Sequence, residues 1–280
     1  MGLSDGSLAD GIPADGRPDK LKYLTRQLKG MKRVALAFSG GVDSTFLLAV
    51  AKQAGLEKLL AITVSSQFFT RAEKEFTAKL TDSMGVAHIC LELDILGETR
   101  IVENTPQRCY FCKTQVFSLV RKTAIENGID TFLHGVNLDD LGDYRPGLEA
   151  AKEFGFLAPL AEAGFSKKEI RSFSRQMGLE TWDLPSQSCL ATRIAYHDRI
   201  TREKLLMVEQ GESFLRELGF DNFRVRCHGS MARIEMDSRA ISSLMDEGRR
   251  MEISRGLKKI GFTFVSLDLE GYKTGNMNKF

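Results

Sequence analysis

The chain has 280 residues, 42% hydrophobic and 27% charged, with a formal net charge of +2. That is enough for one large domain or two ordinary ones with normal cores. The near-neutral balance, with only short basic pairs such as Lys167-Lys168, argues against a protein that grips nucleic-acid phosphates, and the longest apolar runs are strand-sized rather than membrane-spanning.

Residues 1–18 are polar and rich in Gly and Asp, and read as a flexible leader with no apolar stretch of the secretory kind. "KRVALAF" then predicts a buried strand and "DSTFLLAVAKQAG" a helix closed by a glycine. "KLLAITVSS" is a second strand, "TRAEKEFTAKLTDSMG" a second helix and "VAHICLELD" a third strand. "TQVFSLVRKTAIENG" predicts a strong helix and "IDTFLHGVN" a fourth strand. Continuous apolar strands alternating with helices imply an α/β fold, a doubly wound parallel sheet, over residues 19–182. Residues 183–200 have loop composition, and 201–280 read as a smaller α+β domain. In it "TREKLLMVEQGESFLRELG" is a helix capped by Thr201, "FRVRCHG" and "ARIEM" form a hairpin, and "GFTFVSLDL" is a last strand.

The five cysteines are Cys90, Cys109, Cys112, Cys189 and Cys227. In a chain without a secretory signal they point to a cytoplasmic protein and to metal, catalytic or buried thiols rather than disulfides. Cys90, between Ile89 and Leu91, reads as a core thiol, and Cys227 as core-facing between Arg226 and His228. Cys109 and Cys112 form a C-x-x-C in "RCYFCK". Three readings stay open for it: structural zinc with Cys189 and His228, a redox switch at a helix start, and an iron–sulfur site.

The strongest signal is "AFSGGVDSTFLL". A strand ends at Phe38, Ser39 to Gly41 allow a tight turn, and a helix starts near Asp43 and Ser44. Such a helix start aims N–H donors and a positive dipole at an anion. The loop is neither a Walker A motif nor G-x-G-x-x-G. "SGGVDS" resembles the pyrophosphate loop of the PP-loop ATPases, in the matching strand–loop–helix context. The resemblance implies that ATP is split to AMP and pyrophosphate, with Ser39, Gly40, Gly41, Asp43 and Ser44 holding phosphates and Asp43 near Mg²⁺. Val64, with Thr63 and Ser65, ends the second strand where adenine packs in such sheets, although an ordinary strand end reads the same way.

Three later segments carry polar clusters: "GVNLDDLGDYRPG" with Asp140 and Arg145, "PSQSCLATRI" with Cys189 and Arg193, and "FRVRCHGSMARIE" with Arg224, Arg226 and Glu235. With "SGGVDS" and "RCYFCK" these five ordered motifs resemble the LarE family, ATP-dependent sulfur transferases of nickel-pincer nucleotide cofactor biosynthesis. The resemblance implies adenylation of a carboxylate of pyridinium-3,5-biscarboxylic acid mononucleotide and displacement of AMP by sulfur. It assigns sulfur handling to Cys189, the substrate phosphate to Arg224 and Arg226, and polar or metal contacts to Glu212 and Glu235. Asp140, Arg145 and Arg193 join the candidate substrate contacts. Family members use either a lone cysteine that gives up its own sulfur or three cysteines holding a 4Fe-4S cluster. Cys109, Cys112 and Cys189 together fit the cluster version. The resemblance also implies a homo-oligomer, up to a hexamer, with a sulfur-donor protein or free sulfide as the source. A tRNA-thiolating PP-loop enzyme and a nucleotide-gated iron–sulfur sensor are the alternatives.

Overall fold

The computed structural model describes residues 17–142, 146–185, 188–244 and 246–273, and for residues 17–19, 238, 239 and 243 the backbone alone. The leader expected at 1–18 thus lies almost wholly outside the described residues, as does Arg145. The chain forms two compact units. One comprises Met1–Val64, Ala72–Glu92 and Lys113–Leu184, the other Ser65–Arg71, Leu93–Cys112 and Pro185–Phe280.

The first unit is the doubly wound α/β sheet. Its strands are β1 (Arg33–Ala37), β2 (Lys58–Ser66), β3 (Ala87–Leu93), β4 (Phe132–His134) and β5 (Phe156–Leu157), in the spatial order β3-β2-β1-β4-β5. β1 runs parallel to β2 and to β4, and β4 parallel to β5. The chain winds outward on one side of β1 and returns on the other. The switch point therefore lies between β1 and β4, where ligands bind at the carboxyl ends of such sheets. The helix Val42–Gln53 follows β1 and is buried nearly all round, which is why its sequence is apolar without a polar stripe. Its Phe46 packs on Phe165 and Phe173, with ring centroids 5.5 and 6.1 Å away. Phe173 belongs to the helix Lys167–Gln176, which the strongly polar "KKEIRSFSRQ" conceals; Ser166 and Glu169 close its start as a reciprocal capping box.

Cys90 departs from its expected core position. It is exposed on β3, the edge strand, where alternation turns its side chain outward.

In the second unit, β6 (Arg224–His228) and β7 (Met231–Glu235) are antiparallel, pairing Arg224 with Glu235 and Arg226 with Arg233. β8 (Phe264–Leu267) adds in parallel to β7. The helix Arg202–Glu217 is capped by Thr201, whose hydroxyl accepts from the Lys204 amide, and buries Leu205, Val208 and Leu215. Gly211 lets it approach the sheet, since a Cβ there would stand 3.4 Å from Val225. Cys227 is fully buried, as its alternation predicts. Among the described residues no helix is long and apolar enough to cross a membrane.

Candidate functional site

In the first unit, the loop after β1 is shaped by its glycines. Gly40 has φ +74°, and a Cβ there would come within 2.8 Å of Thr77 Cγ2. Gly41 is the N-cap of the helix Val42–Gln53 and supplies no side-chain cap. The amides of the first turn are therefore left to an external acceptor. The Ser39 and Ser44 hydroxyls lie 3.2 Å apart, and Ser44 Oγ donates to the Gly41 carbonyl at 3.1 Å. Gly135, after β4, is close enough that a Cβ would stand 2.9 Å from Ser44 N. The loops after β1 and β4 thus meet at the switch point.

Asp43 is paired with a residue that sequence reading left aside. Lys167 Nζ stands 2.6 Å from Asp43 Oδ2, while Asp43 Oδ1 is buried without a hydrogen-bond partner among the described residues. Burial pushes the Asp43 carboxyl upward; Lys167 pulls it down, the Asp140 carboxylate pushes it up and Asn137 pulls it down. Asp140 sits in the short helix Asp139–Gly142, its Oδ2 accepting from the Asn137 amide at 3.1 Å. The Lys167 amide donates to Asp139 Oδ2 at 2.8 Å, which ties the helix start of Lys167 to the same loop. Val64 is half-buried at the end of β2, beside Thr63, whose hydroxyl donates to the Phe38 carbonyl at 2.8 Å. The orphaned Asp43 oxygen suits a divalent cation, a hard ion that takes carboxylate oxygens.

In the second unit, Cys189 is exposed and caps the short helix Leu190–Arg193. Arg193 holds this turn from within: Nη1 donates to the Ser188 carbonyl, to Ser188 Oγ at 2.8 Å and to the Cys189 carbonyl at 3.1 Å. Its Nε and Nη2 grip Glu212 at 2.9 and 3.2 Å. Arg226 is likewise committed to Glu235, and Nη1 also donates to the Thr192 carbonyl at 3.1 Å. Arg224 is more accessible; its guanidinium lies 4.9 Å over Tyr272. Burial, then Arg193, pushes the Arg224 side chain toward its neutral form, with Glu212, Tyr272 and Arg226 as lesser influences. The structure thus gathers Arg193, Arg224, Arg226, Glu212 and Glu235 behind the Cys189 turn.

The C-x-x-C pair lies on a helix, not before one. The helix is Arg108–Glu126, and its first turn carries both partly buried thiols at i and i+3, hence on one face. Arg108 Nη2 lies 4.0 Å from Cys109 Sγ, and the same guanidinium is within electrostatic reach of Cys189. None of the five cysteines is in a disulfide. Three thiols outside any disulfide, in one unit, suit an iron–sulfur cluster in kind. Among the described residues no three His, Cys, Asp or Glu side chains stand together at metal-ligating separation, so the trio is a donor set by chemistry rather than by position.

Comparison with known proteins gives a consistent picture. The family model described as queuosine biosynthesis protein QueC matches residues 33–108, a span that includes the loop after β1. An uncharacterised protein of Synechocystis is 38% identical over 93% of this chain and 97% of its own length. The pyridinium-3,5-bisthiocarboxylic acid mononucleotide synthase of Lactiplantibacillus plantarum is 35% identical over 92% of this chain and 94% of its own. The tRNA-specific 2-thiouridylase MnmA of Trichlorobacter lovleyi is 27% identical over 53% of this chain and 51% of its own.

Proposed function

The chain belongs to the family of the pyridinium-3,5-bisthiocarboxylic acid mononucleotide synthases, ATP-utilising PP-loop enzymes, and on that premise we propose that it adenylates a carboxylate of pyridinium-3,5-biscarboxylic acid mononucleotide and exchanges AMP for sulfur. The observation that carries the ATP half is the helix start after Gly41, which has no side-chain cap and stands beside the Asp43–Lys167 pair.

In this reading the first-turn amides and the Ser39 and Ser44 hydroxyls receive the phosphates. Asp43 holds Mg²⁺, which when bound neutralises charge on the pyrophosphate. Lys167 exchanges its carboxylate partner for a phosphate oxygen. A substrate carboxylate oxygen attacks the α-phosphorus, and pyrophosphate leaves as the P–O bond breaks. A sulfur nucleophile then attacks the acyl carbon. The C–S bond forms as the C–O bond to AMP breaks, giving a thiocarboxylate and AMP. Arg224 receives the substrate phosphate with the planar fork that suits it, and Arg193 and Arg226 keep its surroundings in place.

For the sulfur source, Cys109, Cys112 and Cys189 are the thiolates that would hold a 4Fe-4S cluster, which when bound supplies an iron carrying exchangeable sulfide. The exposure of Cys189, with no gathered set of three donors among the described residues, favours a second reading. There the Cys189 thiolate itself forms a thioester with the activated carboxyl. Loss of its Cα proton and cleavage of its Cβ–S bond then release the thiocarboxylate and leave dehydroalanine. Cysteines outside any disulfide suit a cytoplasmic setting for either route. The test is anaerobic incubation with ATP, Mg²⁺ and the pyridinium mononucleotide. Pyrophosphate release that depends on the mononucleotide supports the proposal, and release without it, or none, contradicts it.

A further inference from the structure

We propose that Asn104 and Arg108 are positioning residues for the sulfur step, a clasp that holds the Cys189 segment against the start of the Cys109–Cys112 helix. This rests on the sulfur-transfer reading above.

Asn104 is fully buried, with φ +56°, a left-handed conformation that asparagine tolerates better than most residues. Its Nδ2 lies within hydrogen-bond reach of three carbonyls: Ile194 at 3.3 Å, Ala195 at 2.7 Å and Asp198 at 3.0 Å. Its own carbonyl accepts from the His197 amide at 3.0 Å. Its Oδ1 accepts from Arg108 Nη1, which also donates to the Ala191 carbonyl at 3.1 Å. Two side chains thus grip the segment 191–198 along its length, immediately after Cys189. The Ile200 amide extends the contact by donating to the Val102 carbonyl at 2.8 Å.

The charge on Arg108 is the second observation. The side chain is 2% exposed, and among the described residues no carboxylate pairs with it. A buried cation is costly unless compensated, and neutral donors would serve a purely structural clasp as well. The groups within its reach that can carry negative charge are Cys189, Cys109 and Tyr196. The guanidinium therefore stands 4.0 Å from Cys109 Sγ while it holds the Ala191 carbonyl, two residues after Cys189. Misplacing reacting groups by about 1 Å costs on the order of 100-fold in rate, so a clasp of this kind governs the sulfur step.

The test uses the full chain with Asn104→Ala, Arg108→Gln and Arg108→Lys. Substrate-dependent pyrophosphate release and thiocarboxylate formation are measured separately under single-turnover conditions. The clasp predicts that Asn104→Ala and Arg108→Gln slow thiocarboxylate formation by roughly 10- to 100-fold while pyrophosphate release stays within about twofold, with Arg108→Lys intermediate. Equal losses in both steps, or a loss in neither, would overturn it. Hydrogen exchange supplies a readout besides activity. Faster exchange in Asn104→Ala confined to residues 188–200, with residues 41–48 unchanged, supports the clasp, and unchanged exchange overturns it. If the wild type itself released no pyrophosphate on adding the mononucleotide, the functional reading would fail, and the exchange result would still judge the clasp.

Discussion

Arg226 donates from Nη2 and Nε to one oxygen of Glu235, at 2.7 and 2.9 Å, while Arg233 Nη2 donates to the other at 2.9 Å. Glu235 is 0% exposed and Arg226 only 4%. Removing one partner of a buried pair leaves an uncompensated charge, which costs about 3–5 kcal/mol. Glu235→Ala is therefore expected to lower the urea unfolding free energy by that order. Arg226→Ala costs less, since Glu235 keeps Arg233. Equal losses in the two variants would show that Arg233 does not compensate.

On the proposed reading, the Lys167–Asp43 pair serves the ATP half. Lys167→Met is expected to cut pyrophosphate formation by about 100-fold, the scale seen when one charge-stabilising donor is lost. Its effect on stability depends on pH. Without Lys167 the already raised carboxyl rises further, because its main downward influence is gone. The penalty of the variant relative to wild type is present at neutral pH, where Asp43 is charged, and shrinks as falling pH protonates it. Thermal melts at several pH values check this; a penalty independent of pH would contradict it.

His134 ends β4 beneath Phe117, ring centroids 5.9 Å apart, and burial, aided by Lys113, pushes it down to about 4 from 6.5. A depressed histidine contributes stability above the unfolded value, and that contribution is lost as pH falls from about 6.5 toward 4. The wild type should lose roughly 2–3 kcal/mol through this group across that window. His134→Phe, which suits the aromatic neighbours, should flatten that part of the stability curve. An unchanged slope would mean that His134 is not the group responsible.

Much of this was legible in the residues. The strand–turn–helix at 33–53 was legible because strand, glycines and helix start are contiguous, and Gly40 takes a positive φ. The hairpin 224–235 was legible from alternation. Alternation did not show that Arg226 is as buried as its apolar neighbours, because its charge is met by Glu235 from the paired strand. Lys167 was invisible as a partner of Asp43, 124 positions away, since no periodicity links them. Asn104 lay hidden for the same reason: the carbonyls that its Nδ2 reaches begin 90 residues later. Cys90 misled because an apolar, alternating strand reads alike at a sheet centre and at its edge.

The sulfur source separates by metal content. The cluster route predicts iron and sulfide in anaerobically purified wild type and their loss in Cys109→Ala, along with thiolation. The Cys189 route predicts no iron, one thiolation per chain, dehydroalanine at position 189 by peptide mass, and an unaffected single turnover in Cys109→Ala.

The most direct test of the central claim follows the carboxylate oxygen. With the pyridinium mononucleotide labelled with ¹⁸O in its carboxylates, attack on the α-phosphorus and displacement by sulfur must transfer one labelled oxygen to AMP for each thiocarboxylate formed. Mass spectrometry of AMP and product is expected to show that equivalence. AMP free of label, with thiocarboxylate present, would contradict an acyl-adenylate route.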